Sequence, residues 1–360
     1  LSHQVLHAKK MNAEGRKFKP IFGVEAYFTN DLEQWRKDLD AVRATTKQKK
    51  EKAHSGAVIE DEGASKRAVR NVANRRAHLI LLAQNQTGLS NLFQLVSKSF
   101  EGDSFYRFPR IDFKMLREHN EGIMVSSACL GGVLAQCYWE NREEGPEAVH
   151  VAMVKIIKGF QDIFGDRFYS ELQWHRIKEQ HELNQFIIKA AKETNCKLVS
   201  TADSHYPRPE MFKDRELYRQ LGWLGKAKPS YATDTLPETR EELSCELYPK
   251  NGEQMWESYK STSKEFGFEY DDEVVRQSFS NTYDIAFNRI EEFYPDTEVR
   301  LPAFVVPEGT TASEELTRLA IDGLKAKELH QDSDYVERLK EELNVIDDRG
   351  FSKYFLTMKA

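Results

Sequence analysis

Residues 77–83 have the sequence AHLILLA, an apolar run with a single polar residue, His78. A run of this length is typical of a strand buried on both faces, as in a parallel sheet. Residues 20–28, PIFGVEAYF, have the same character and again hold one ionisable side chain, Glu25. The sequence therefore predicts two buried strands, each carrying one group capable of chemistry.

Further strands are predicted downstream, over residues 122–126, 168–173 and 197–202. Amphipathic helices separate them: Pro146 opens one, and residues 183–191 carry apolar side chains at i, i+3, i+4 and i+7. Strands alternating with helices of this kind are typical of an α/β domain with mostly parallel strands, either a barrel or doubly wound.

The rest of the chain departs from this alternation. Residues 31–76 are strongly charged, with a basic run over 47–52, and are predicted to form an exposed arm. Past Tyr206 the pattern changes to helices and loops. Thr311 and Glu314 have the spacing of a helix-opening capping box, and residues 351–358 are predicted to begin a strand.

Composition excludes several classes of protein. The chain has 360 residues, with 52 Lys and Arg against 58 Asp and Glu, for a net charge of −6. No apolar run approaches the roughly 18 residues that a membrane-spanning helix needs, and the first residues lack the layout of a secretory signal. The four cysteines show no CxxC spacing, which favours a reducing, cytoplasmic environment. An acidic chain also lacks the basic footprint that is the simplest argument for nucleic-acid binding.

Polar side chains lie in or directly after several predicted strands. In α/β folds ligands bind beyond the carboxyl ends of the strands, so these side chains are candidates for a site. Mixed nitrogen, sulfur and oxygen donors suit Zn²⁺ or Mn²⁺ better than Ca²⁺, which prefers oxygen alone. The candidate ligands are Glu25, His78, Cys129, Asp203 and His205.

Each candidate also has an ordinary structural interpretation. His78 alone is consistent with a hydrogen-bonded histidine, Cys129 with a small buried apolar residue, and Glu25 with an ion pair to an arginine. Asp203 and His205 are two residues apart, which places both on one side of an extended segment. Spacing leaves these alternatives open because the residues are distant in sequence.

Three other features lie close to the candidate ligands in the order of the chain. Glu171 and His175 are candidates to orient the ligands by hydrogen bonds without binding the metal themselves. Gly131-Gly132 is too short to form a phosphate-binding loop, so no binding role is assigned to it.

The motifs together resemble those of family C bacterial replicative DNA polymerases, the DNA polymerase III alpha subunits. Residues 19–27, KPIFGVEAY, are similar to the KPIIGVEAY element in the PHP (polymerase and histidinol phosphatase) domain of that family. Residues 78–92 resemble its HLILLAKN..G..NL element, and residues 126–132 its SGCLGG element. Further matches follow in order at 171–175, 201–206, 281–286, 301–304, 335–343 and 350–356.

The resemblance implies a distorted (β/α)7 PHP barrel, followed by a mainly helical segment that leads into a polymerase palm. It divides the chain into a PHP domain over 1–290 and the start of the palm over 291–360. It also implies that a Zn²⁺ or Mn²⁺ ion is bound by Glu25, His78, Cys129, Asp203 and His205.

The implied function is that of a DNA-directed DNA polymerase in DNA replication, with Mg²⁺ serving the full-length enzyme. The PHP portion would be a 3′–5′ proofreading exonuclease. The implied partners are DNA primer-template, deoxynucleotides, and replisome subunits such as a sliding clamp and a proofreading exonuclease; no membrane partner is implied. Two alternatives stay open: a stand-alone PHP phosphoesterase, and a non-catalytic PHP module that braces the polymerase.

Several motifs of the family are absent from this sequence. They are the first His-x-His, the later Thr-Asp-His, and the Gly-Arg-Gly-Ser and Asp-x-Asp of the palm. The expectation is therefore an interior fragment with part of the metal site and no catalytic residue for nucleotidyl transfer.

Overall fold

The structure is a computed structural model that describes residues 2–54, 71–215, 217–218, 246–296 and 304–359. It divides into two compact units, Leu1–Pro295 and Asp296–Ala360. Among the described helices, none combines the length and the apolar character that crossing a membrane requires.

A five-stranded sheet with the order β1-β2-β5-β6-β7 forms the centre of the first unit, and β3 and β4 form a separate two-stranded sheet. The pairs β1–β2 and β2–β5 are antiparallel, whereas β5–β6 and β6–β7 are parallel. The strands are β1 Gly23–Phe28, β2 Ala77–Ala83, β3 Phe105–Tyr106, β4 Phe108–Pro109, β5 Ile123–Ser126, β6 Phe168–Gln173 and β7 Lys197–Thr201.

The predicted α/β class and the helical C-terminal segment are confirmed, and the five strands predicted before Tyr206 are present. The first of them, β1, lies at the edge of the sheet and is only partly buried, although a buried strand was predicted there. The prediction of mostly parallel pairing is correct for β5 to β7 and wrong for β2, which runs against both of its neighbours. The reason is that an apolar run specifies burial and not the direction of a strand.

The described residues of the first unit form nine α-helices, and those of the second unit form three. The first nine are α1 Ser2–Ala13, α2 Leu32–His54, α3 Gln86–Ser99, α4 Phe113–Glu118, α5 Val133–Asn141, α6 Pro146–Phe164, α7 Lys178–Thr194, α8 Gly252–Phe266 and α9 Asp272–Asp284, after which Ile285–Arg289 is a π-helix. The second unit contains α10 Ala312–Ala326, α11 Ser333–Asp348 and α12 Ser352–Lys359.

Local signals account for the ends of several helices. Pro146 is the first residue of α6, as predicted, and the Thr311–Glu314 capping box opens α10. The strand predicted over 351–358 is wrong, because this segment is the helix α12. Its buried residues, Ser352 and Leu356, are four apart and therefore lie on one face of the helix.

Helix α2 corrects the prediction of an exposed arm. Trp35 and Leu39 lie four residues apart on α2 and are buried against Val72 and Ala73. The indole Nε1–H of Trp35 donates to the Val72 carbonyl oxygen at 2.9 Å. The prediction of an exposed arm is wrong for α2 because it rested on the charged composition of the segment, and two apolar residues on one helix face are enough to bury that face. The part of the predicted arm over residues 55–70 lies outside the described residues.

The core beneath the sheet is rich in aromatic side chains. Phe160 of α6 stacks on Phe168 of β6 with ring centroids 4.8 Å apart, and it also contacts Phe28 and Phe113. Every residue of β6 is buried, which identifies β6 as the centre of the fold. The loops after β5 and β7 flank the end of this strand, and they carry three of the candidate ligands.

Candidate metal centre

Glu25 and His78 lie on adjacent strands and point to the same face of the sheet. Glu25 is opposite Ile80, and His78 is opposite Tyr27, so the two side chains are diagonal neighbours. The Nδ1–H of His78 donates to Glu25 Oε1 at 2.6 Å. This hydrogen bond lowers the pKa of the Glu25 carboxyl, and it leaves the Nε2 atom of a neutral His78 available as a ligand.

Cys129 joins this pair from the loop after β5. Its Sγ lies 3.6 Å from His78 Nδ1 and accepts the backbone N–H of Gly131 at 3.4 Å. The preceding residue, Ala128, has a φ of 60°, in the left-handed region that non-glycine residues rarely adopt. Burial raises the pKa of the Cys129 thiol to about 12, so the free thiol is protonated at neutral pH.

Asp203 and His205 approach the same point from the loop after β7. Asp203 has a φ of 46°, and its carboxyl interacts with the Cys129 thiol and with the charges of Glu25 and His78. Burial raises the pKa of this carboxyl. The Nδ1–H of His205 donates to the backbone carbonyl of Asp203 at 2.7 Å, which leaves Nε2 as the free nitrogen.

The structure thus brings all five candidates together, although they do not form a finished coordination shell. Within the described part of the chain, no group of three or more His, Cys, Asp or Glu side chains is placed so that it could hold a metal ion. The donor set still fits a divalent metal in kind: two imidazoles, one thiol and two carboxyls face one another. Burial disfavours the ionised forms of Cys129 and Asp203, and a bound cation would favour them.

Sequence reasoning missed the role of Gly131 and Gly132. The N–H of His78 donates to the Gly131 carbonyl at 2.8 Å, and a Cβ on Gly131 would lie 3.3 Å from the His78 ring. A Cβ on Gly132 would lie 2.0 Å from the Ser127 carbonyl oxygen. The two glycines allow the backbone to pass close to His78, and adjacent glycines were the signal for such an approach.

Glu171 and His175 are fully buried behind the candidate ligands. His175 lies just beyond β6, and its Nε2–H donates to Gln173 Oε1 at 3.1 Å. Burial lowers the pKa of His175 to about 3, and the positive charges of Lys250 and His205 add to the effect. The folded protein therefore keeps this imidazole neutral.

The stability of the fold is expected to fall as the pH drops from about 6.5 towards 3, because unfolded His175 takes up a proton that the folded state refuses. Between pH 7.5 and 5 this amounts to about 2 kcal/mol for one histidine with an unfolded pKa of about 6.5. His175→Gln should remove that share of the pH dependence, since glutamine can still donate to Gln173. Urea denaturation of both proteins at the two pH values measures it.

The matched control for this prediction is His7→Gln, at an exposed histidine of α1. It should leave the pH dependence as in the unaltered chain. Equal loss of stability on acidification in the unaltered chain and in His175→Gln would contradict the prediction.

Comparison with known proteins finds a family match over the first part of the chain. The sequence profile of the PHP domain matches residues 4–175, a range that includes Glu25, His78 and Cys129. The chain carries a PHP domain. Asp203 and His205 lie beyond the matched range of the PHP domain, although the curated relatives align across them.

Three curated relatives show how far the similarity extends past the PHP domain. The DNA polymerase III subunit alpha of Aquifex aeolicus is 30% identical over 98% of this chain and 26% of its own length. The subunits of the same name from Borreliella burgdorferi and Thermus aquaticus are 32% and 34% identical, over 78% and 69% of this chain and 22% and 18% of their own lengths. The chain spans about a quarter or less of the length of these relatives.

Proposed function

We propose that this chain is the PHP region and the start of the palm of a DNA-directed DNA polymerase, an alpha subunit of DNA polymerase III. The observation that supports this most strongly is the similarity to the Aquifex aeolicus subunit over 98% of the chain, well past the end of the PHP match at residue 175. A stand-alone phosphoesterase would have no use for the family-like motifs over residues 301–356.

The proposal assigns residues 1–290 to the PHP domain and 291–360 to the start of the palm. It makes primer-template DNA and deoxynucleotides the substrates of the full-length enzyme in the cytoplasm, with Mg²⁺ at carboxylates that this chain does not contain. A sliding clamp and a proofreading exonuclease are the proposed replisome partners. Full-length protein that fails to extend a primed template in the presence of Mg²⁺ and nucleotides would disprove the polymerase assignment.

We further propose that Glu25, His78, Cys129, Asp203 and His205 hold Zn²⁺ or Mn²⁺, and that the site acts on the phosphodiester at a DNA 3′ end. A bound dication of this kind activates water and neutralises phosphate charge. Without a bound cation, the two carboxyls at the site would repel the negatively charged phosphodiester. The charge of these residues therefore favours binding of a cation before binding of the phosphodiester. Burial raises the pKa of the Cys129 thiol to about 12, so the free thiol is unsuited to nucleophilic attack, and ligation would require a bound cation that favours the thiolate.

Asp203→Asn is expected to weaken metal binding at least tenfold, because it removes an anionic donor from the point where the other ligands converge. Metal content after dialysis, measured by mass spectrometry of the purified chain, tests this. The control is Asp162→Asn, at an exposed carboxylate of α6. Equal metal content in Asp203→Asn and in the unaltered chain would contradict the assignment of ligands.

A bracing role for the PHP domain is the second candidate function. It is favoured by the finding that, over the residues described, no group of three or more His, Cys, Asp or Glu side chains is placed so that it could hold a metal ion. The same metal measurement separates the two, since a brace needs no metal and would be unaffected by Asp203→Asn.

A further inference from the structure

Glu171 lies in the middle of β6 and connects the ends of both neighbouring strands. Its side chain is buried, and its Oε2 accepts a hydrogen bond from Ser126 Oγ at 2.5 Å. Its Oε1 accepts hydrogen bonds from Thr201 Oγ1 and, at 3.0 Å, from Gln173 Nε2. Ser126 is the last residue of β5 and Thr201 is the last residue of β7. One carboxylate therefore spans three strand ends.

The backbone of β6 strengthens the connection to β5. The N–H of Glu171 donates to Ser127 Oγ at 2.9 Å, and the N–H of Ser127 donates to the Tyr169 carbonyl at 3.1 Å. The residues just after β5 are thus attached to β6 by both side-chain and main-chain hydrogen bonds. On the other side, Gln173 Nε2 also donates to Thr201 Oγ1 at 3.2 Å.

Both strands that Glu171 connects lead directly into candidate ligands. Cys129 comes three residues after Ser126, and Asp203 comes two residues after Thr201. Each short segment turns through a residue with positive φ, Ala128 at 60° and Asp203 at 46°. A non-glycine residue in this region is strained and persists only where the surrounding structure holds it.

Burying the carboxyl group of Glu171 is unfavourable by itself, which indicates that its hydrogen bonds to the neighbouring strands have a structural role. A carboxyl group removed from water is unfavourable unless hydrogen bonds replace its hydration, and here three side-chain donors do so. An apolar residue at this central position of the sheet would be buried without that cost. It would leave Ser126 and Thr201 without the acceptor that now joins them.

We propose that Glu171 is a positioning residue that fixes the separation between Cys129 and Asp203 and so sets the geometry of the metal centre. The proposal rests on the metal site proposed above. Glu171 itself is saturated by its hydrogen bonds and stands behind the ligands. Removing its side chain should therefore change how well a metal is held, over and above any change in the stability of the fold.

Titration of the metal-free chain with Co²⁺ tests this, because the thiolate-to-cobalt absorption band reports Cys129 ligation without requiring activity. Glu171→Ala is expected to raise the dissociation constant of Co²⁺ at least tenfold and to weaken the thiolate band. Glu171→Gln keeps an oxygen for Thr201 and Gln173 and offers an N–H to Ser126 Oγ, so its affinity should stay within about threefold of the unaltered chain.

The matched control is Leu172→Ala, which removes a fully buried side chain from the opposite face of the same strand. It should lower the denaturation midpoint and leave the Co²⁺ spectrum of the folded protein unchanged. A loss of Co²⁺ affinity in Leu172→Ala as large as in Glu171→Ala would overturn the positioning role, and so would unaltered affinity in Glu171→Ala.

Two milder variants keep the test decisive if Glu171→Ala does not fold. Ser126→Ala removes the hydrogen bond on the Cys129 side, and Thr201→Val removes the one on the Asp203 side. Each should weaken Co²⁺ binding, and Ser126→Ala should weaken the thiolate band more. An unaltered chain that binds no Co²⁺ would overturn the metal centre and the positioning role together, whereas binding that is indifferent to all these variants would overturn the positioning role alone.

Discussion

Gly132→Ala is expected to lower the free energy of unfolding by about 3 kcal/mol, because the new Cβ has no space. It would lie 2.0 Å from the Ser127 carbonyl oxygen and 2.9 Å from the Cys129 carbonyl oxygen, and both of these are backbone atoms. Gly132 has a φ of −82°, which alanine adopts freely, so the effect is steric. Relief requires the loop that carries Cys129 to move.

The displacement should also weaken metal binding, since Gly132 forms an isolated bridge with His78 and follows Cys129 closely. Guanidinium denaturation and metal content measure the two effects. The control is Gly252→Ala at the first residue of α8, where nothing lies within 4 Å of the new Cβ. It should be neutral or slightly stabilising. Equal denaturation midpoints for Gly132→Ala and the unaltered chain would contradict the steric argument.

Arg110→Met is expected to destabilise the protein by about 4 kcal/mol, because it leaves several backbone carbonyls unpaired in the interior. The Arg110 side chain is fully buried, and its guanidinium donates to the carbonyls of Phe108 at 2.9 Å, Tyr106 at 3.1 Å and Arg75 at 3.3 Å, and also to that of Ala73.

The same guanidinium supports the helix that precedes β2. It lies 4.0 Å from the ring centroid of Trp35 of α2, an arrangement that favours a cation over an aromatic face. Burial lowers the pKa of Arg110 to about 10, and Arg76 and Arg36 add to this, so the group stays charged at neutral pH. Carbonyl dipoles and the indole face therefore solvate a buried charge.

Loss of Arg110 should destabilise α2 more than it destabilises the central sheet. Hydrogen exchange of α2 amides is expected to accelerate in Arg110→Met, alongside a lower denaturation midpoint. The control is Arg117→Met on the exposed face of α4, which should change stability by less than about 1 kcal/mol. Unchanged α2 exchange in Arg110→Met would show that the guanidinium, which contacts α2 through Trp35, does not hold the helix.

Much of the fold could be predicted because its signals are local. The apolar runs at 77–83 and 168–173 are strands β2 and β6, and the capping residues of α6 and α10 are where the spacing predicted them. The strand predicted over 351–358 is wrong because a short apolar segment does not by itself distinguish a strand from a helix. The exposed arm failed over α2, where Trp35 and Leu39 are buried.

The candidate site, like the fold, could be predicted from the sequence only in part. Residue type and position after a strand were enough to nominate Glu25, His78, Cys129, Asp203 and His205. The contacts that each of these side chains makes could not be predicted from the sequence. The hydrogen bond between His78 and Glu25, for example, joins two antiparallel strands, and the apolar pattern did not specify their direction. The glycines beside His78 are explained by a close backbone approach that exists only in the folded chain.

The sequence by itself determined which apolar runs form the central strands, where several helices begin, and which side chains are able to bind a metal, because these depend on neighbours within a few turns of chain. The tertiary structure alone decided which strands pair, that Arg110 anchors α2, and that Glu171 joins Ser126 and Thr201 across sequence separations of 45 and 30 residues. The physical reason is that such contacts become favourable only when the whole sheet has excluded water from groups that are far apart along the chain.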